Sequence, residues 1–398
     1  MLLFWVPLTL LGALLYWGLL ALFSGLPSYL REGSNDLEIY RKTGEALLRG
    51  EIPYRDFFLE YPPGSIPAFV PPALFSDDGA GYLELFASEM AIALVAAMVL
   101  TALTACRLRG PSGWLVPALS FAACALLLHP VAVSRYDAVV ALTLAVAALC
   151  ATLGGHYLPA AYASLGFGAA AKLVPVLATV PLAILRRGAA RGYAVFFAAL
   201  AIFFGSAVAL GGGRFLESFA YHADRGLQVE SLGASVLIQL GLASGVAFEY
   251  GAFEVGGRGA DLGAALSLPI TGALLLVTAL VMYGKYRAGK LGSDAFPRYA
   301  AALILAFMLG SKVLSPQYVI WLLPLVPLSF GGLAGISVSA VFLVACLITT
   351  LVFPYYYTDL LNFRHPGPEL LLGRNLLLVL LWVLLLAVPA KNPEKVAP

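Results

Sequence analysis

The stretch MLLFWVPLTLLGALLYWGLLALF, Met1–Phe23, decides the class of this protein. It holds no charged side chain. A secretory leader opens on a basic segment and then has a short apolar core; this run has no basic opening and is long enough for a full bilayer crossing. It reads as a retained first membrane helix. The composition agrees: 61% of residues are hydrophobic and only 12% charged, where a soluble domain carries about 25% charged residues. The chain is expected to be an all-α polytopic membrane protein. The formal net charge of +2 says little, because the placement of charges matters more, and no nucleic-acid partner is expected.

Further apolar runs place helices near 80–106, 112–130, 137–153, 157–170, 171–186, 192–210, 262–284, 296–311, 317–331, 334–352 and 370–389. With the first, about twelve helices result. Basic loops belong on the cytoplasmic side. Twelve crossings with both termini inside put Arg107 and Arg109, then Arg186, Arg187 and Arg191, then Lys285, Arg287 and Lys290, and the tail KNPEK, all on that side. The apolar run at 231–248 would break this pattern if it crossed, so it reads as re-entrant or interfacial. The pair 157–170 and 171–186 is short for two spans and reads as one hairpin broken at Lys172. No polar linker or internal repeat divides the chain, so one membrane domain over 1–398 is expected. Cys106, Cys124, Cys150 and Cys346 all lie in apolar runs without CxxC spacing, as core residues do; neither a disulfide framework nor a metal site is expected.

This topology leaves the outer loops polar, and any chemistry is expected there. The first, about 25–79, contains SNDLEIYRKTGEALLRGEIPYRDFFLEYPPG, Ser34–Gly64. Leu37, Tyr40, Gly44, Leu47 and Leu48 recur at helical spacing, predicting an amphipathic helix on the membrane surface over 36–49. Ser34 or Asn35 can cap its start, and Gly50 can close its end. Beyond it Pro53, Pro62, Pro63, Pro67, Pro71 and Pro72 stiffen the path. On residue type alone, Asp36 is a helix-start carboxylate that complements the dipole.

Several motifs resemble the GT-C superfamily and, within it, glycosyltransferase family 87. Asp36-x-x-x-Tyr40, Gly50–Phe57 (GEIPYRDF) and Glu60–Gly64 (EYPPG) resemble its first outer loop. Ala169–Leu185 (AAAKLVPVLATVPLAIL), Tyr221–Ser231 (YHADRGLQVES) and Leu314–Leu328 (LSPQYVIWLLPLVPL) resemble later elements in the expected order. The resemblance implies a GT-C-like membrane bundle and an integral enzyme of the inner, cytoplasmic membrane. Its donor would be a polyprenyl-phosphate sugar, often mannose, and its acceptor a lipid or glycan at the outer face. It also implies that Asp36 is the catalytic base. Many relatives carry paired acids at this point, whereas this chain has Asn35-Asp36. That departure argues against the protein O-mannosyltransferase branch and against a metal, since one carboxylate holds a divalent ion poorly. No cofactor is expected.

A lipid-phosphate sugar is already activated, so one carboxylate suffices to take the acceptor proton, and direct displacement inverts the anomeric centre. The departing phosphate needs cations. Lys172, Arg225, Lys312, Arg364 and Arg374 are outward candidates, with Lys172, Arg225 and Lys312 expected to bind donor phosphate. Glu60, Tyr61, His222, Gln228 and Glu230 are expected on the sugar or acceptor side. His129, Arg135 and Asp137 rank second, with Arg135 and Asp137 expected to pair with each other. Tyr355, Tyr356 and Tyr357 read as an interfacial belt. Two other functions compete. A flippase or transporter of a lipid-linked sugar predicts internal repeats and ionisable residues near the midplane. An O-antigen-type polymerase or ligase predicts a larger late outer loop than NFRHPGPE provides.

Overall fold

A computed structural model describes residues 2–27, 35–76, 78–186, 188–292 and 294–389. Ser34, the side chain of Asn35, Arg187 and the KNPEK tail, each given a role above, lie outside the described residues. Helices dominate, as the hydropathy requires. In the first half they are α1 (Leu2–Ser24), α2 (Asn35–Leu48), α3 (Val70–Phe75), α4 (Gly79–Arg109), α5 (Leu115–Leu127), α6 (Asp137–Leu153), α7 (Leu158–Ala171) and α8 (Thr179–Leu185). Then come α9 (Ala189–Gly211), α10 (Glu217–Ala223) and α11 (Leu232–Gln239), and a β-hairpin of β1 (Gly245–Glu249) and β2 (Ala252–Gly256). The chain finishes with α12 (Ala260–Arg287), α13 (Ala295–Gly310), α14 (Gly332–Thr350) and α15 (Gly367–Ala387).

Among the described residues six helical segments are long and apolar enough to cross a membrane: Phe4–Ser24, Gly79–Arg109, Ala189–Ala223, Ala260–Arg287, Gly332–Tyr355 and Gly367–Ala387. Shorter apolar helices pack among them. The longest, α4, begins at a conventional cap: the Asp78 carboxylate accepts from Gly81 N–H at 2.7 Å. Gly110 ends it with φ +84°. In contrast, α13 is buried on every side, from Ala295 through Ala306 and on to Gly310. A helix buried all round belongs at the centre of a bundle, and α13 touches α12, α15 and the 3₁₀ turn Val174–Ala178.

Two expected elements differ, and a third holds. The 317–331 segment is not one helix but two buried 3₁₀ turns, Pro316–Leu322 and Val326–Leu328. Pro324 and Pro327 remove donors that a continuous helix needs. Irregular backbone at this depth is tolerated because protein surrounds it. The 231–248 run divides into α11 and β1, whose antiparallel partner β2 pairs Gly245 with Gly256 and Glu249 with Ala252. The turn residues Tyr250 and Gly251 both have positive φ, 48° and 71°, which suits a tight hairpin. The 157–186 segment breaks at Lys172, as expected: Lys172 ends α7 in an extended conformation.

Helix α2 buries Leu37, Tyr40, Thr43 and Ala46. Its end is a hydrogen-bonded C-cap: Gly50 N–H donates to Leu47 O at 3.0 Å and Glu51 N–H to Ala46 O at 3.0 Å, with Gly50 at φ +84°. Its inner face meets α3 so closely that a Cβ on Gly44 would lie 2.4 Å from the Phe69 carbonyl oxygen. The helix rests on protein through that face, and this contact fixes where its first turn lies. Gly44→Ala should therefore destabilise the fold by about 1–3 kcal/mol through overpacking. Gly205→Ala, on α9 with nothing within 4 Å of a built Cβ, should be neutral or stabilising through helix propensity. Thermal unfolding of the two variants in detergent checks the opposite signs.

Candidate active site

The broken helix α7, the start of α6, loop one and the hairpin surround one cavity of about 890 Å³. All nine residues expected at a site line it: Asp36, Glu60, Tyr61, Lys172, His222, Arg225, Gln228, Glu230 and Lys312. They come from segments far apart in sequence. Of the other candidates, Arg364 is exposed elsewhere and His129 is buried with its Nδ1 3.0 Å from Leu126 O. Arg374 is fully buried and does not line the cavity. Tyr355 and Tyr356 are exposed, but Tyr357 lines the cavity and is not part of a belt.

Asp36 stands in the first turn of α2 with both oxygens engaged. Arg135 Nε lies 2.8 Å from Oδ2, and the Tyr61 hydroxyl donates to Oδ1 at 2.8 Å. Packing holds Tyr61 in place. Its ring meets Tyr40 at 5.3 Å and Tyr136 at 5.6 Å edge-on, and Tyr40 stacks on Phe69 at 4.4 Å. The Tyr54 hydroxyl donates to the Tyr61 carbonyl at 2.7 Å. The carboxylate is thus oriented by one cation and one hydroxyl on a rigid aromatic bed.

The expected Arg135–Asp137 pair does not form. Arg135 goes to Asp36, and Asp137, wholly buried, takes Lys172 Nζ at 2.8 and 2.9 Å. Trp321 Nε1 donates to the same Asp137 Oδ1 at 2.6 Å. The Lys172 ammonium also lies 4.9 Å from the Tyr136 ring centre, 5.3 Å from Tyr318 and 5.4 Å from Trp321. Its charge is already balanced. Lys172 therefore anchors an aromatic floor first, and a phosphate would compete with Asp137 for it.

Arg225 reaches two partners at once: Glu60 Oε2 at 3.4 Å and the Tyr250 carbonyl at the hairpin tip at 2.7 Å. His222 Nε2 donates to the Glu60 carbonyl at 3.0 Å. Burial, with the Asp36 charge nearby, pushes the Glu60 carboxyl up to about 7, against the pull of Arg225. Lys312 Nζ donates to the carbonyls of Ala223, at 2.7 Å, and Arg225. Among the described residues, Lys312 alone of the cations on the cavity wall has no carboxylate at ion-pair distance. Both ends of the Gln228 amide are used: Nε2 donates to Glu230 Oε2 at 2.9 Å, and Oε1 accepts from Leu314 N–H at 2.8 Å. No three of His, Cys, Asp and Glu gather as metal ligands among the described residues.

Sequence reasoning passed over Tyr136, Tyr318 and Trp321 and ranked Arg135 and Asp137 second. Trp321 lies inside the quoted LSPQYVIWLLPLVPL run, where its hydropathy disguises it.

Fold and cavity together define a multi-pass, predominantly helical membrane protein with a charged site. A model of Glycosyltransferase family 87 matches residues 58–316. That is well over half of the chain, and the chain belongs to glycosyltransferase family 87. Eight of the nine cavity residues fall inside the match; Asp36 precedes it. Two solved structures are similar at low identity. One is ArnT from Cupriavidus metallidurans bound to undecaprenyl phosphate (14% identity, TM-score 0.49, covering 97% of this chain and 77% of that one). The other is the same protein in the apo state (15% identity, TM-score 0.47, covering 96% and 77%). A search of curated proteins finds no match.

Two outcomes follow from the pairing. Lys172→Met should destabilise the protein by about 3–5 kcal/mol, because it strands a buried Asp137. Adding Asp137→Asn should recover part of that loss, seen as a melting temperature above that of the single variant. The second concerns pH. Below about 4.5 Glu60 is protonated in folded and unfolded chains alike; between 4.5 and about 7 only the unfolded chain releases the proton. Stability should therefore fall as pH rises through that window, and Glu60→Gln should flatten the melting temperature against pH.

Proposed function

We propose that this glycosyltransferase moves a hexose, with mannose the first donor to try, from a polyprenyl phosphate to a lipid or glycan acceptor. The reaction takes place at the outer face of the cytoplasmic membrane, and both chain termini lie inside. The observation that carries this reading is the placement of Asp36. An oriented carboxylate shares one cavity with Lys312, the wall cation with no carboxylate partner among the described residues. Family membership supports the sugar transfer. The basic loops at Arg107–Arg109 and Lys285–Lys290 support the orientation.

The chemistry needs little more. The acceptor hydroxyl attacks the anomeric carbon, and a C–O bond forms while its proton passes to Asp36. The bond from the anomeric carbon to phosphate breaks, its electron pair leaves on the phosphate oxygen, and the configuration inverts. Lys312, with Arg225 beside it, stabilises that charge. Tyr61 and Arg135 keep the carboxylate aimed. No step calls for a cofactor.

Asp36→Asn should cut kcat by about 10²–10⁴-fold while donor still binds. Lys312→Met should act mainly on donor KM. Transfer of radiolabelled sugar from polyprenyl-phosphate mannose to a lipid extract reads both. An Asp36→Asn enzyme as fast as wild type would sink the base assignment. Labelled donor crossing liposomes without transfer would favour the flippase.

A further inference from the structure

The inner wall of the cavity carries a buried polar network that the transfer step leaves unused. Glu230 lines the wall and is only 2% exposed. Its Oε2 accepts from Gln228 Nε2 at 2.9 Å, and its Oε1 has no donor among the described residues. Behind it, from α15, stands Arg374, fully buried. Its Nη2 donates to the Glu230 carbonyl at 2.6 Å, while Nε and Nη1 have no acceptor among the described residues. Asn375 grips the same backbone, donating to the carbonyls of Glu230 at 3.4 Å and Ser231 at 3.3 Å and to Ser235 Oγ at 3.1 Å. Two helix residues thus clamp a short loop so that one carboxylate holds a fixed place.

Buried polar groups are nearly always hydrogen-bonded, so an open acceptor on a cavity wall points to an absent donor. A phosphate cannot supply it, because two anions repel. A hydroxyl can. The neighbourhood selects which hydroxyl. Gln228 Nε2 bridges Glu230 Oε2 and Ser315 Oγ, the latter at 3.2 Å, and Gln228 N–H donates to the Lys312 carbonyl at 2.9 Å. Glu230 is therefore one side chain away from the segment that carries Lys312. The group next to a bound donor phosphate is the sugar it carries.

We propose that Glu230, braced by Arg374 and Asn375, selects the transferred sugar by accepting a hydrogen bond from one of its hydroxyls. This rests on the transferase reading above. The donor class is a neutral hexose with that hydroxyl intact; sugars deoxygenated there, or carrying a carboxylate, are rejected. Gln228, its amide fully occupied, positions Glu230 and does not read the sugar.

The test offers the purified enzyme polyprenyl-phosphate mannose, glucose and galactose, and then the monodeoxy forms of the best donor. A site built around a substrate hydroxyl rejects the analogue lacking it by about 10⁴–10⁵ in kcat/KM. Wild type should show such a loss at one position only. In Glu230→Gln the amide oxygen keeps the hydrogen bond from Gln228 Nε2, which puts the NH2 where the open acceptor stood, and the ratio should collapse toward one. Glu230→Asp keeps the acid but shortens its reach, and should shrink the ratio at the same position; it serves if the Gln variant fails to fold. Equal use of every monodeoxy donor by wild type overturns the proposal, as does an unchanged ratio in a folded Glu230 variant; the open oxygen then belongs to a structural water. Wild type that transfers no sugar from any donor refutes the transferase reading instead, and the proposal with it.

Discussion

Two charges near the start of α6 organise the site. Arg135 and Asp137 are two residues apart, yet each reaches a different distant segment. Arg135 takes Asp36 from α2, and Asp137 takes Lys172 from the end of α7 and the Trp321 indole from the 3₁₀ turns. A charge inside an apolar bundle needs a partner, since losing it strands the other member. The chain meets that need by drawing three remote segments onto one helix start. Helix α7 stops at Lys172, whose extended backbone carries the ammonium to Asp137. The aromatic floor of Tyr136, Tyr318 and Trp321 then gathers around that ammonium. Loop one is held by the Asp36–Arg135 pair together with the Tyr61 hydroxyl.

Much of this was legible in the residues, and the part that was not has a common cause. Met1–Phe23 reads as a helix from length and missing charge, and Gly50 reads as a cap because a left-handed residue suits the end of α2. Such signals are local. The motifs of loop one, of Ala169–Leu185 and of Tyr221–Ser231 also named residues that the fold brings to one wall. What local signals cannot carry is the choice of partner. Arg135 and Asp137 looked like a pair because they are neighbours. But they belong to different contacts, and only the packing of α2 and α7 on α6 decides that.

The hairpin is a different kind of miss. Val246 and Phe248 in β1, and Phe253 and Val255 in β2, alternate with other residues around Tyr250-Gly251. That period-two pattern was present in the sequence. It was masked because the first of these strands continues an apolar run from 231, which reads as one long segment when hydropathy alone is averaged. The backbone of β2 then pairs with the Arg225–Ser231 loop: Val229 N–H donates to Phe253 O at 2.8 Å, and Val255 N–H to Leu227 O at 2.9 Å. The hairpin thus supports the polar loop, which pairs with it as a third strand-like segment.

The charge state of this wall is not rigid. Arg225 is shared between Glu60 and the hairpin carbonyl, while burial holds the Glu60 carboxyl near 7. At neutral pH Glu60 is close to balanced between its two forms. An anion arriving beside Arg225 adds like charge near Glu60, and like charge favours the protonated acid. Linkage then requires that anion binding draw a proton onto Glu60, which loosens its hold on Arg225. The same proton would not reach Lys312, whose ammonium is held by carbonyls that do not titrate. So the two cations differ in kind. Lys312 is held by two carbonyls, whereas the strength of Arg225 toward an anion depends on the proton count of Glu60.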